Sequence, residues 1–166
     1  MFKKSMLVVL ALLPMLFLCA CSNASYTKEK WIFSELVSVD VYEEIPEEVL
    51  QMQLEYNGAA NISELESILL NNGKNEGTFN DFYLFFEGKF AHYFDENLER
   101  ETTYFFKEFD GEVILALGEI QFEDPSIEEN LDPVICPRLV VSEDGKELTF
   151  TYYYIYYFVT IKCVAE

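Results

Sequence analysis

The pattern of apolar residues predicts a mostly-β domain with one short helical pair, closing as an antiparallel up-and-down barrel or, as the alternative, folding as a β-sandwich. Three observations carry this. Apolar residues alternate with a period of two from Trp31 to Val41, and from Thr78 almost to the end the chain reads as strands and tight turns. Gly88 and the pairs Asp110-Gly111 and Asp144-Gly145 punctuate the later stretch as tight turns. Helix start and stop signals occur only once, between the first strand and the rest.

Ahead of the domain, Lys3 and Lys4 precede an uncharged apolar run from Met6 to Leu18, then Leu18-Cys19-Ala20-Cys21. The run has 13 residues, whereas a helix needs roughly 20 to span a bilayer, and Pro14 weakens it further. It reads as the apolar core of a secretory signal. The tetrapeptide resembles the lipobox of bacterial lipoproteins, with Leu three before the cysteine and a small residue just before it. Cys19 does not fit, since bulky Leu18 precedes it. The resemblance implies cleavage after Ala20, a diacylglycerol thioether on Cys21, and a protein held on the extracytoplasmic face of the cell membrane. Two acyl chains anchor stably where one is marginal. Residues 1–20 are then the signal peptide and 21–30 the anchor and tether. The nine residues from Ser22 to Lys30 reach at most roughly 30 Å.

Removing the leader takes two lysines and no acids, so the remaining 146 residues carry 9 basic against 30 acidic residues, a net charge of −21. That field repels nucleic acid and anionic headgroups, so no nucleic-acid partner is expected. The length suits one domain, 31–166, and with 51% apolar residues the chain is globular despite its charge.

In the first strand Trp31, Phe33, Val37, Val39 and Val41 make one apolar face, with Glu35-Leu36 as an irregularity. Pro46 among acidic residues opens a helix near 46–56, stopped by Asn57-Gly58. A second helix near 62–71 starts from capping boxes Asn61/Glu64 or Ser63/Glu66, has Ile62, Leu65, Ile68 and Leu69 as its stripe, and stops at Asn72-Gly73. Phe79 to Glu87 and Lys89 to Phe94 then flank Gly88. Thr102 to Phe109 turns through Asp110-Gly111 into Glu112 to Leu117. After a loop from Gly118 to Pro137, Arg138 to Val141 turns through Asp144-Gly145 into a β-rich tract from Glu147 to Val164. That tract is too long for one ordinary strand, so it is a strongly bent strand or two strands sharing a bulge near Tyr154 to Tyr157. Seven or eight strands result.

One strand, a helical pair and a run of hairpins resembles the lipocalin-like and fatty-acid-binding barrels, whose helices cap an open end. Trp31 near the start of the first strand is similar to the lipocalin tryptophan. The glycine that precedes it there is replaced by Lys28-Glu29-Lys30, and Thr160-Ile161-Lys162-Cys163 lacks the Arg-x-Tyr with which fatty-acid-binding proteins hold carboxylates. The resemblance implies the barrel shape and not that ligand.

Aromatic residues occupy Phe150, Tyr152, Tyr154, Tyr156 and Phe158, and Tyr153 and Tyr157 besides. Tyrosine suits a boundary that is both wet and apolar, and the plainer reading is a strand buried on both faces. Tyr83, Phe85, Tyr104, Phe106, Tyr152 and Tyr154 are the candidate ligand-binding positions of a hollow barrel. Cys136 and Cys163 form a disulfide or pack as two buried thiols, both open in an exported protein. Six carboxylates between Gly118 and Pro137 lack the spacing of a Ca²⁺ loop and read as solvated. His92 shares a strand face with Phe90 and Phe94, without a nucleophile or orienting group, so it reads as structural. No metal, cofactor or catalytic motif is predicted. The expected function is a membrane-anchored barrel binding a small apolar or amphipathic ligand. The alternative is a filled module for protein–protein interaction or inhibition, and an enzyme ranks last.

Overall fold

The computed structural model describes residues 25–77, 82–95, 99–109, 111–118 and 133–166. The expected signal peptide, the expected lipidation site Cys21 and the carboxylates between Glu119 and Asp132 lie outside these residues. Among the described residues, eight antiparallel strands form one closed barrel in sequence order. They are β1 (Trp31–Val41), β2 (Phe82–Glu87), β3 (Phe90–Asp95), β4 (Arg100–Phe109), β5 (Glu112–Ala116), β6 (Arg138–Val141), β7 (Glu147–Tyr154) and β8 (Tyr157–Ala165). Two helices, α1 (Glu47–Asn57) and α2 (Ile62–Glu76), follow β1. The architecture is the mostly-β up-and-down barrel with a helical pair, and the sandwich alternative falls.

The first strand departs from a simple alternation. Its register against β8 shifts between Phe33 and Glu35 and again between Leu36 and Ser38. Each bulge inserts a residue and reverses the phase of the strand beyond it. Leu36 is therefore buried at 2% exposure and Val37 lies outside at 44%, the reverse of the predicted face.

β1 pairs with β2 only through Trp31–Leu84 and Ile32–Tyr83, so beyond Ile32 the β1–β2 seam lacks strand pairing. Helix α2 lies along that seam: Glu66 Oε1 accepts the Val41 N–H at 2.9 Å, and Lys74 Nζ sits 3.6 Å from Glu35 Oε1. Leu65 is fully buried, and Leu69 and Leu70 pack on the barrel core. The helix thus supplies apolar contact and one acceptor where a neighbouring strand is missing. Of the two capping boxes, Asn61/Glu64 forms: the Asn61 side chain accepts the Glu64 N–H at 3.0 Å, and Glu64 reaches back to the Ala60 N–H at 2.8 Å. Glu66 is the seam acceptor instead. The helix also runs through Asn72-Gly73 and ends at Gly77, whose φ of 63° makes the left-handed cap. Helix α1 buries no residue.

Of the two readings of the β-rich tract after Glu147, the single bent strand falls and the two strands stand, joined by a turn where a bulge was expected. Ile155 and Tyr156 adopt φ of 42° and 69°, and Tyr154 pairs with Tyr157, which makes a two-residue hairpin with both central residues left-handed. Asn-Gly suits such a turn, and a β-branched residue there is strained, so the sequence carried no turn signal.

Inside, fully buried Trp31, Leu36, Leu84, Leu115, Leu139, Leu148 and Ile161 fill the centre of the barrel. The end where β1 begins, the base, is covered by a short 3₁₀ turn, Ser25–Lys28. Trp31 Nε1–H donates to the Tyr26 carbonyl at 2.9 Å, the Tyr26 hydroxyl donates to Glu108 at 2.7 Å, and the Tyr26 ring meets Phe86 edge-on at 5.2 Å.

Candidate functional site: an aromatic mouth on a filled barrel

At the end opposite the 3₁₀ turn, inward alternation places Tyr93 and Asp95 at the close of β3, Tyr104 on β4, and Phe150 and Tyr152 on β7. A cavity of about 170 Å³ opens there, lined by Tyr93, Tyr104, Phe150, Tyr152 and Tyr153, with Leu117, Val134, Ile135 and Pro137 completing its wall. Three of its rings form a continuous surface: Tyr93 and Phe150 centroids are 5.5 Å apart, and Phe150 stacks on Tyr152 at 5.3 Å, whereas the Tyr153 ring turns to the other face of β7 and packs on Tyr42 and Phe158 at 5.4 and 5.6 Å. Leu117 and Ile135 are exposed at its lip, as are Tyr154 and Ile155 in the neighbouring hairpin.

Burial raises the pKa of all three inward tyrosines, Tyr93, Tyr104 and Tyr152. The charge of Asp95, itself buried, raises Tyr93 and Tyr152 further, while Arg100 acts in the opposite direction on Tyr104. The phenols therefore stay neutral through the physiological range, with apolar faces and hydroxyls available for hydrogen bonds.

The six sequence-predicted ligand positions divide into four groups. Tyr104 and Tyr152 line the mouth cavity together. Phe106 lies inside but near the base, against Phe86 at 5.0 Å. Tyr154 stands beyond the cavity at 59% exposure. Tyr83 and Phe85 alternate with buried Phe82 and Leu84 and so point outward, a correction to their placement in a cavity. Both faces of β2 are apolar, which leaves its phase unreadable from one strand. Tyr93, Phe150 and Tyr153 were not among the predicted positions. For Tyr93 the alternation Ala91, Tyr93, Asp95 was the available signal.

Outward-facing Tyr83 and Phe85 belong to an external aromatic stripe across β2, β3 and β4. Phe85 stacks on His92 at 4.7 Å, Tyr83 packs on Phe94 at 5.0 Å, and Phe90 on Phe105 at 4.9 Å. Lys30 lies 4.5 Å above the Tyr83 ring and Lys89 5.1 Å above Phe105. His92 Nδ1 is 2.7 Å from Glu101 Oε1, a surface pair with the Thr103 hydroxyl 3.3 Å from the same nitrogen.

A wider open depression of about 380 Å³ lies near the base, between Tyr26, Glu108, Glu112 and Val141. Its carboxylates are already engaged: Glu108 accepts the Tyr26 hydroxyl, and Glu112 pairs with Arg138 at 2.8 Å. Cys136 packs with Ile114 and Ala116, and Cys163 with the main core. They are two separate buried thiols and not a disulfide, and burial pushes the Cys163 thiol up to about 12. Among the described residues no group of His, Cys, Asp and Glu side chains could hold a metal ion, and no helix is long and apolar enough to cross a membrane.

No protein-family model, curated protein or solved structure matches this chain.

Proposed function

We propose that the chain is a lipid-anchored extracytoplasmic protein that binds a small apolar or amphipathic molecule at the open mouth of its barrel. The observation that carries this reading is the aromatic cavity set on a filled centre. Ligand pockets are concave and mostly apolar with a few polar groups, and the rings of Tyr93, Tyr104, Phe150 and Tyr152 with the tyrosine hydroxyls supply that. A volume of about 170 Å³ is below the ~300 Å³ of drug-sized sites, so the site takes a compact group and not a long chain drawn through the barrel.

The tether agrees with this use. Between Cys21 and Ser25, the first residue of the 3₁₀ turn, lie three residues, which reach about 10 Å. With Cys21 lipidated, the base sits against the membrane and the mouth points away from it. Replacing Cys21 by alanine is expected to release the protein or leave its precursor uncleaved, and unchanged membrane attachment refutes the anchor.

Native mass spectrometry of protein purified from its own envelope tests the binding. A retained small molecule, lost on Tyr152→Ala, is the expected result. Absence of any retained molecule, together with no uptake of a fluorescent amphiphile, refutes it. The external stripe of Tyr83, Phe85, His92, Phe94, Phe90 and Phe105 favours a second reading, an interaction module presenting aromatic surface to another protein. Crosslinking from Phe85 in the intact envelope would identify such a partner.

A further inference from the structure

The composition of the mouth points past its polarity to the charge of what it holds. An uncharged apolar group is accommodated as well by leucine and valine as by aromatic rings. Here five of the nine lining residues are aromatic, and none is lysine or arginine. The faces of tyrosine and phenylalanine rings are electron-rich and attract cations, most strongly where several rings enclose a site away from water. Three of these rings belong to tyrosines whose phenols burial keeps un-ionised, so they present neutral π-faces. Asp95 lies on the same inward face of β3, two residues beyond Tyr93, and is buried. Its register partner on β4 is exposed Arg100, which offsets part of that charge and leaves the rings as the main source of recognition. The field of a chain with net charge −19 raises the local concentration of cations and lowers that of anions.

Resting on the reading of the mouth as a ligand site, we propose that its ligand is a small organic cation whose methylated ammonium group seats against the rings of Tyr93, Tyr104, Phe150 and Tyr152. The size agrees: a cavity of about 150 Å³ holds one benzene-sized group, and that of the mouth is about 170 Å³. A trimethylammonium has no N–H to satisfy and a dimethylammonium a single one, so a wall of rings meets their needs without a full set of acceptors. Exposed Leu117 and Ile135 at the lip meet the part of the ligand that extends outward.

The test compares choline with its neutral carbon isostere, in which a tert-butyl group replaces the trimethylammonium. Saturation-transfer NMR on the methyl protons of each, titrated into the full chain in a non-ionic detergent, reads both affinities. Choline is expected to saturate, with the isostere about tenfold weaker or more. Tyr104→Leu and Tyr152→Leu should each weaken choline by about tenfold, whereas Tyr104→Phe, which keeps the ring, should bind it nearly as well. Equal binding of choline and the isostere overturns the cation inference and leaves the mouth as a ligand site. No saturation by choline also overturns it, and the search for a retained molecule then decides the broader reading separately. Should the leucine variants fail to fold, the isostere comparison and Tyr104→Phe still give the answer.

Discussion

Replacing Leu65 by alanine probes the least strand-like part of the barrel. Leu65 is fully buried on α2, the helix that fills the seam where β1 and β2 share only two register pairs. At about 0.8 kcal/mol per methylene, the lost carbons cost about 2.4 kcal/mol. A residual cavity brings the expected loss to about 3–4 kcal/mol, because the rigid strands on either side cannot close over it. For a domain of this size each kcal/mol lowers the midpoint by about 2–4 °C, so Tm should fall by about 6–16 °C. Met52 on α1 is the control: it is exposed, and its replacement by alanine should stay within about 0.5 kcal/mol. Thermal and urea unfolding followed by circular dichroism and by the fluorescence of Trp31, the single tryptophan, measure both. If Leu65→Ala shifts the midpoint no more than Met52→Ala, α2 is not the element that closes the seam.

Three other outcomes are expected of the same barrel. Substituting Ile155→Asn together with Tyr156→Gly should stabilise the protein by about 1–3 kcal/mol, because both residues now hold positive φ; a lower urea midpoint would contradict the turn assignment. Tyr26, Tyr93 and Tyr152 have folded pKa values raised above the ordinary 10.0. Their contribution is therefore complete below pH 10 and declines as the unfolded chain alone ionises above it. Phenolate absorbance should show a class that titrates only with alkaline unfolding, and reversible titration of every tyrosine near pH 10 in the folded state would refute their burial. Cys136 and Cys163 should resist thiol reagents until the protein is denatured, since both are buried and burial disfavours the Cys163 thiolate; a linked peptide pair in a non-reduced digest would show a disulfide instead.

Much of this barrel is legible along the chain wherever a local cause acts alone. The alternation Phe82, Leu84 and Ala91, Tyr93 marks β2 and β3, Gly111 and Gly145 turn the hairpins with φ of 85° and 68°, and Gly58 ends α1. Where two local preferences compete, tertiary contact decides. Gly73 is a helix stop by composition, yet α2 continues past it because Lys74 reaches Glu35 and Gly77 supplies the cap. The hairpin at Ile155-Tyr156 has the wrong residues for its turn and forms because eight register pairs between β7 and β8 fix the strands on either side. The candidate site shows the same division. Tyr104 and Tyr152 are readable as inward aromatics, whereas Tyr83 and Phe85 lie on a strand that is apolar on both faces, where sequence leaves the phase free.

The sequence by itself determined the strand-rich class, the place of the helical pair and the excess of acid. Each of these depends on residues close together in the chain. The tertiary structure alone decided which face of each strand turned inward, that the centre filled with leucine, isoleucine and tryptophan, and that four rings from three strands, Tyr93, Tyr104, Phe150 and Tyr152, met at one mouth. Those outcomes depend on register and enclosed volume, which are set by pairing between residues far apart in the chain and carry no local signature.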